Sequence, residues 1–128
     1  MAAGLARRIG REPVVLRKEV PGFLVNHVLR AISNDVYWLL ENGVASFADI
    51  DKALELGLGW PMRPFRLGDF SGLDVGYYAR MEIYKRTGNA ADRPPEALRK
   101  RVERGDLGRK TGRGFYDYST DPPKPTED

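Results

Sequence analysis

Few residues of this chain have the type and spacing for chemistry. Asn26 stands in the run Phe23-Leu24-Val25-Asn26-His27-Val28, an amide among apolar neighbours that must find hydrogen-bond partners or be costly to bury. It can pair with nearby backbone at a helix terminus, as asparagine commonly does, or it can both donate to and accept from a bound polar group. His27 is the sole imidazole, so a Ser-His-Asp triad could be built only around it. No nucleophile is identifiable beside it, and a partly exposed place in a first helical turn is its simpler reading. The chain has no cysteine, which excludes disulfides, thiolate metal sites, iron–sulfur clusters and cysteine nucleophiles. A single histidine leaves no imidazole-rich metal site either.

Two glycine-rich stretches invite comparison with phosphate-binding loops. Gly105-Asp106-Leu107-Gly108-Arg109-Lys110-Thr111 lacks the full phosphate-loop spacing and follows a helical pattern where a strand is required. Gly57-Leu58-Gly59 misses the third glycine of a dinucleotide fingerprint, because Met62 occupies its place, and it too follows a helix. Neither stretch is a nucleotide cradle. The next segment, Gly59-Trp60-Pro61-Met62-Arg63-Pro64-Phe65, is apolar and stiffened by two prolines. It serves equally as plain core or as the wall of a pocket for an acyl chain. Lys100, Arg101, Arg104, Arg109, Lys110 and Arg113 form a basic run within a net charge of +3. Such a run suits a phosphorylated ligand such as a nucleotide, coenzyme A or nucleic acid, and is more often a solvated face.

The elements that must position these residues fit one compact domain. With 128 residues, 41% hydrophobic and 30% charged, the chain has room for one modest core. No stretch approaches the roughly 18 apolar residues of a membrane-spanning helix, and Met1 to Ala6 run into Arg7-Arg8 without a signal-peptide core. A soluble, unexported, cytoplasmic protein with no membrane partner is expected. Residues 2–10 have helical composition ending at Gly10, and Glu12 to Lys18 read as one buried strand. A single strand lacks neighbours, so this opening is what the last unit of an α/β domain looks like when the preceding sequence is left out.

From Pro21 to Asn42, Leu24, Val28, Ile32, Val36 and Leu40 recur every fourth residue. This predicts a helix of about six turns with a wide buried stripe. Ser46 opens a second helix with Asp49 in its first turn and Ile50, Ala53 and Leu54 on one face, stopped at Gly57-Leu58-Gly59. Pro64 opens a short helical turn. A further helix runs from near Ser71 to Gly88 with Leu73, Tyr77, Met81 and Tyr84 inward, followed by a loop over 89–92. A last helix starts at Pro94-Pro95-Glu96 with Leu98 and Val102 inward and ends at Gly105. Gly108 to Gly114 reads as a flexible basic loop, Phe115-Tyr116-Asp117-Tyr118 as an aromatic anchor, and 119–128 as a disordered Pro-rich tail or linker.

Several stretches, taken in order, closely resemble the C-terminal domain of the L-3-hydroxyacyl-CoA dehydrogenases, the 3-hydroxybutyryl-CoA dehydrogenase family. They are Val20-Pro21-Gly22-Phe23-Leu24-Val25-Asn26; Asp49-Ile50-Asp51; Gly57 through Leu67; Asp69-Phe70-Ser71-Gly72-Leu73-Asp74; and Gly108-Arg109-Lys110-Thr111-Gly112-Arg113-Gly114-Phe115-Tyr116. The resemblance covers about residues 9–118 and implies an all-α, multi-helix domain of the 6-phosphogluconate dehydrogenase C-terminal type. On that basis residues 1–19 are a remnant helix end and strand of a missing Rossmann domain, 20–118 the helical domain, and 119–128 the tail. The resemblance implies an acyl-CoA substrate, a homodimer, and NAD bound mainly by the missing Rossmann domain, whose glycine fingerprint and catalytic His/Glu pair are not in this chain. Such a chain is not expected to catalyse alone.

Carried over residue by residue, Asn26 matches the asparagine beside the substrate thioester that helps orient the catalytic histidine. Pro61, Met62 and Leu67 match the border of the acyl pocket, and Lys110 a lysine reaching back toward NAD. The chain departs from the family where His27 replaces the usual arginine, and where Met-Gly-Pro-Phe-Glu-Leu reads Met62-Arg63-Pro64-Phe65-Arg66-Leu67. If Arg63 faces the cleft, it narrows it or attracts an acidic acyl group. Two readings from other classes stand behind this one. One is a basic nucleic-acid-binding module, for which no recognition-helix signature exists; the other is a non-catalytic assembly domain.

Overall fold

The computed structural model describes Val15, Arg17, Lys18 and residues 24–127. The chain divides into two compact units, residues 1–32 and 33–128. The helix end expected over 2–10 lies outside the described residues, as does most of the strand expected over 12–18. Val15 is 71% exposed and takes part in no ladder among the described residues, so it is not the buried strand position expected. A strand is buried only where neighbouring strands supply pairing on its edges.

Helix α1 spans Val25–Glu41, shorter than the six turns expected from Pro21. Only its second half is covered: Val36 and Tyr37 are buried, whereas Leu24 and Val28 of the predicted stripe are exposed. Asn42 and Gly43 end the helix. The Asn42 side-chain amide donates to the Trp38 carbonyl at 2.8 Å, and Gly43 takes a left-handed φ of 67°.

Helix α2, Phe47–Leu58, starts as its sequence dictates, with the Asp49 amide donating to the Ser46 hydroxyl at 3.1 Å. It ends at left-handed Gly59. Phe47, Ile50 and Asp51 form its buried face, while Ala53, expected inward, is exposed. Helix α3, Pro64–Ser71, has proline at its first position, where no amide hydrogen is needed. Helix α4, Leu73–Thr87, buries Leu73 fully and leaves Tyr77, Met81 and Tyr84 half-buried. A 3-10 turn, Ala90–Asp92, occupies the expected loop, and helix α5, Glu96–Arg104, follows. No side chain of its own caps α5; instead the Glu41 carboxylate at the end of α1 accepts the Ala97 amide at 3.1 Å, placing negative charge at the positive end of α5.

The core of residues 33–128 is a cluster of rings. Phe115 lies 4.8 Å from Phe65 and 5.2 Å from Phe47, and Tyr37 meets Phe65 edge-on at 5.2 Å, within the range where aromatic pairs attract beyond their burial. Arg101 is fully buried with its guanidinium 4.1 Å from the Phe115 ring centre and donates to the Ala97 carbonyl at 3.0 Å.

Regular strand among the described residues is confined to β1, Tyr116–Asp117, antiparallel to β2, Lys124–Pro125, so the fold is all-α, as expected. The tail, however, is not the unstructured segment its Pro-rich composition suggests. Thr126 is buried, its amide donates to the Phe115 carbonyl at 2.9 Å, and its hydroxyl bonds Gly114 and Phe115 carbonyls. Backbone pairing with the aromatic anchor outweighs composition here.

Candidate functional site

The loop between α2 and α3 is held from one face of α2. Asp51 is fully buried; its carboxylate accepts the Phe65 amide at 2.8 Å, the Arg66 amide at 3.3 Å and the Tyr116 hydroxyl at 2.8 Å. It thereby caps α3, whose N-terminal neighbour Arg63 supplies no side-chain cap. Burial pushes the Asp51 carboxyl above the ordinary aspartate range, an effect its three donors oppose. One turn further along α2, the Glu55 carboxylate receives the Arg63 guanidinium at 2.5 and 3.4 Å, which holds Glu55 below its ordinary value. Between these ties the chain presents Pro61 and Met62, both exposed, with Leu67 half-buried on α3.

Both arginines that depart from the family pattern therefore have internal partners. Arg63 is engaged by Glu55, and Arg66 lies over the Tyr116 ring at 4.8 Å.

A second carboxylate anchors the Gly108–Gly114 loop. Asp69, fully buried, accepts the Phe115 and Tyr116 amides at 2.9 and 3.0 Å and the Tyr118 hydroxyl at 2.7 Å. Burial raises its carboxyl as it does that of Asp51. Expected to be flexible, the loop is instead a braced hairpin: Gly108 and Arg113 exchange both backbone hydrogen bonds, at 2.9 and 3.1 Å. The Thr111 hydroxyl accepts the Leu107 amide and reaches the Gly108 and Arg113 carbonyls, so it is occupied within the loop and does not act as a phosphate-loop hydroxyl. Lys110 at the tip lies 2.6 Å from Asp74 at the start of α4. That contact holds the Asp74 carboxyl below its ordinary value while leaving the lysine side chain 48% exposed.

Pro61 and Met62 thus lie in the loop before α3 and Leu67 in its first turn, and Lys110 stands at its other end, beside Gly72. Asn26 lies on the exposed first turn of α1, in the unit comprising residues 1–32, and His27 beside it is also exposed. The basic run does not form one patch. Arg101 is buried among rings, Arg104 and Arg113 lie 3.4 and 3.7 Å from Asp106, and Lys110 is shared with Asp74. Asp51 and Asp69, the residues that shape both loops, are given no role by the sequence pattern. Their partners lie 14 to 65 residues away, and the one local hint is a carboxylate on an otherwise apolar helical face.

Comparison of the fold places it with dehydrogenases. It matches the crystal structure of (S)-3-hydroxybutyryl-CoA dehydrogenase PaaH1 from Ralstonia eutropha with a TM-score of 0.79 at 36% identity, covering 93% of this chain and 42% of that one. It matches 3-hydroxybutyryl-CoA dehydrogenase from Escherichia coli K12 with a TM-score of 0.77 at 33% identity, covering 92% and 25%. The family model for the 3-hydroxyacyl-CoA dehydrogenase C-terminal domain matches residues 22–118, and the chain belongs to that family. Among curated relatives, the probable 3-hydroxybutyryl-CoA dehydrogenase of Bacillus subtilis (strain 168) is 40% identical over 114 residues, 89% of this chain and 39% of the relative. The mitochondrial hydroxyacyl-coenzyme A dehydrogenase of Homo sapiens is 39% identical over 114 residues, 88% and 36%. The chain spans about two fifths of the length of these relatives.

Proposed function

We propose that this chain is the acyl-CoA-binding and dimerisation domain of an NAD-dependent L-3-hydroxyacyl-CoA dehydrogenase, a cytoplasmic enzyme of fatty-acid β-oxidation that converts 3-hydroxyacyl-CoA to 3-oxoacyl-CoA. The observation that carries this reading is the family match over residues 22–118, which contains both aspartate-pinned loops. In this reading residues 1–19 belong to a Rossmann domain and 20–118 form the helical domain. Asn26, exposed on the first turn of α1, uses its amide to hold the substrate thioester and the catalytic histidine of the Rossmann domain in register, since an amide both donates and accepts. Pro61, Met62 and Leu67 border the acyl chain.

NAD supplies the hydride acceptor when bound. Among the described residues, Lys110 fits it. Gly59 is the cap of α2 and the Thr111 hydroxyl is engaged within its own loop, whereas Lys110 is half-exposed with its charge shared by Asp74. Lys110 therefore contributes an outer cation toward the dinucleotide phosphates. Dimerisation is supported by exposed large apolar side chains such as Trp38 on α1 and Val75 and Tyr78 on α4, which are 60%, 59% and 61% exposed and which a second copy would cover.

The test is complementation. Mixing the purified chain with the separately produced N-terminal half of the Bacillus subtilis relative should restore acetoacetyl-CoA-dependent oxidation of NADH that neither half performs alone. Two folded halves that associate without turnover would count against the assignment.

A further inference from the structure

Arg63 is a cation on the loop that carries Pro61 and Met62, and its charge is already matched. Its guanidinium bonds Glu55 through two nitrogens, at 2.5 and 3.4 Å, with side-chain exposures of 23% for Arg63 and 37% for Glu55. From α2, then, Asp51 fixes the amides that open α3 while Glu55, one turn along, fixes the side chain just before them. The pair is too exposed to contribute much to stability. Its consequence is electrostatic, because a bare guanidinium at this point would present a carboxylate-binding fork beside Met62.

We infer that the Glu55–Arg63 pair sets the acyl class this domain accepts: Glu55 neutralises Arg63, so that the loop takes uncharged acyl chains in preference to chains ending in a carboxylate. The inference rests on the assignment of Pro61 and Met62 to the acyl side. Glu55 touches no substrate; it is a specificity-determining residue acting through Arg63.

The experiment is calorimetric titration of the full chain with acetoacetyl-CoA and with succinyl-CoA, which share the coenzyme and nearly the same acyl length but differ in a terminal carboxylate. The wild-type chain should prefer acetoacetyl-CoA. Glu55→Gln should shift the ratio of affinities toward succinyl-CoA by about two- to fivefold, the scale of an exposed ionic contact, and added salt should erase the shift. Arg63→Met leaves Glu55 unmatched and should shift the ratio the other way, while the double variant should return to the wild-type ratio. The opposite signs keep the inference testable if one variant fails to fold. A wild-type chain that binds neither thioester would overturn the acyl-side assignment and this inference together. Intact acetoacetyl-CoA binding with an unchanged ratio in both single variants would overturn the role of the pair alone.

Discussion

Asp69 Oδ1 lies 2.2 Å from where a Cβ on Gly114 would fall, and the same oxygen accepts the Phe115 amide at 2.9 Å. The carboxylate fits against the backbone because residue 114 has no side chain. Gly108 is equally constrained, since its Cβ would fall 2.2 Å from the Asp69 carbonyl oxygen. Two glycines and one aspartate thus fix the hairpin that carries Lys110.

Gly114→Ala should therefore lower stability by about 3 kcal/mol, because rigid backbone and a buried carboxylate must move to admit one methyl group. Gly57→Ala is the control. It lies in α2 with nothing within 4 Å of the new Cβ, and should gain about 0.5–1 kcal/mol from helix propensity. Urea unfolding of both variants checks the contrast.

Asp51→Ala removes the acceptor of two amides and a phenol at once. It should cost about 3 kcal/mol or more, since buried donors left unpaired cost about 1–3 kcal/mol each. Tyr116→Phe removes one of those donors and leaves Asp51 its two amides, so a loss near 1 kcal/mol is expected. Equal losses in the two variants would contradict the capping role given to Asp51.

The aspartates respond to pH in opposite senses. Asp74 is held low by Lys110, so its contribution to stability is present above the unfolded value of about 3.9 and is lost as pH falls through the lower folded value. Asp51 and Asp69 are raised by burial. Between the unfolded value and their raised folded values the folded state keeps protons that the unfolded chain has released, so stability from these groups declines as pH rises across that window. Carboxyl NMR titration should place Asp74 below the ordinary range and the buried pair above it, and Lys110→Met should return Asp74 toward the ordinary range.

Much of the helical plan was legible because its signals are local. Ser46 caps α2 from three residues away, Pro64 opens α3, and Gly88 and Gly105 end α4 and α5 in left-handed conformation. The failures are non-local. Periodicity placed Leu24 and Val28 on a buried stripe, but burial depends on what covers the stripe, and both are exposed. Composition made 119–128 a disordered tail, and Thr126 is instead bonded to Phe115. The sequence left open whether Arg63 faces a cleft and gave Arg66 no partner, because Glu55 and Tyr116, which engage them, lie outside any local motif.

Because Asn26 is exposed on the first turn of α1, Asn26→Ala should leave the unfolding free energy within about 0.5 kcal/mol of wild type. In the complemented enzyme the same change should lower kcat at least tenfold with a smaller change in KM, the pattern of an interaction made mainly in the transition state. Unchanged turnover would remove Asn26 from the mechanism.

The proposed function has this chain carry the acyl-CoA side of a dehydrogenase while the dinucleotide is held mainly elsewhere. Calorimetric titration with acetoacetyl-CoA and, separately, with NADH tests it most directly, with light scattering on the same sample. Weak binding of acetoacetyl-CoA by a dimer and no measurable binding of NADH are expected. Tight binding of NADH by this chain alone would contradict it.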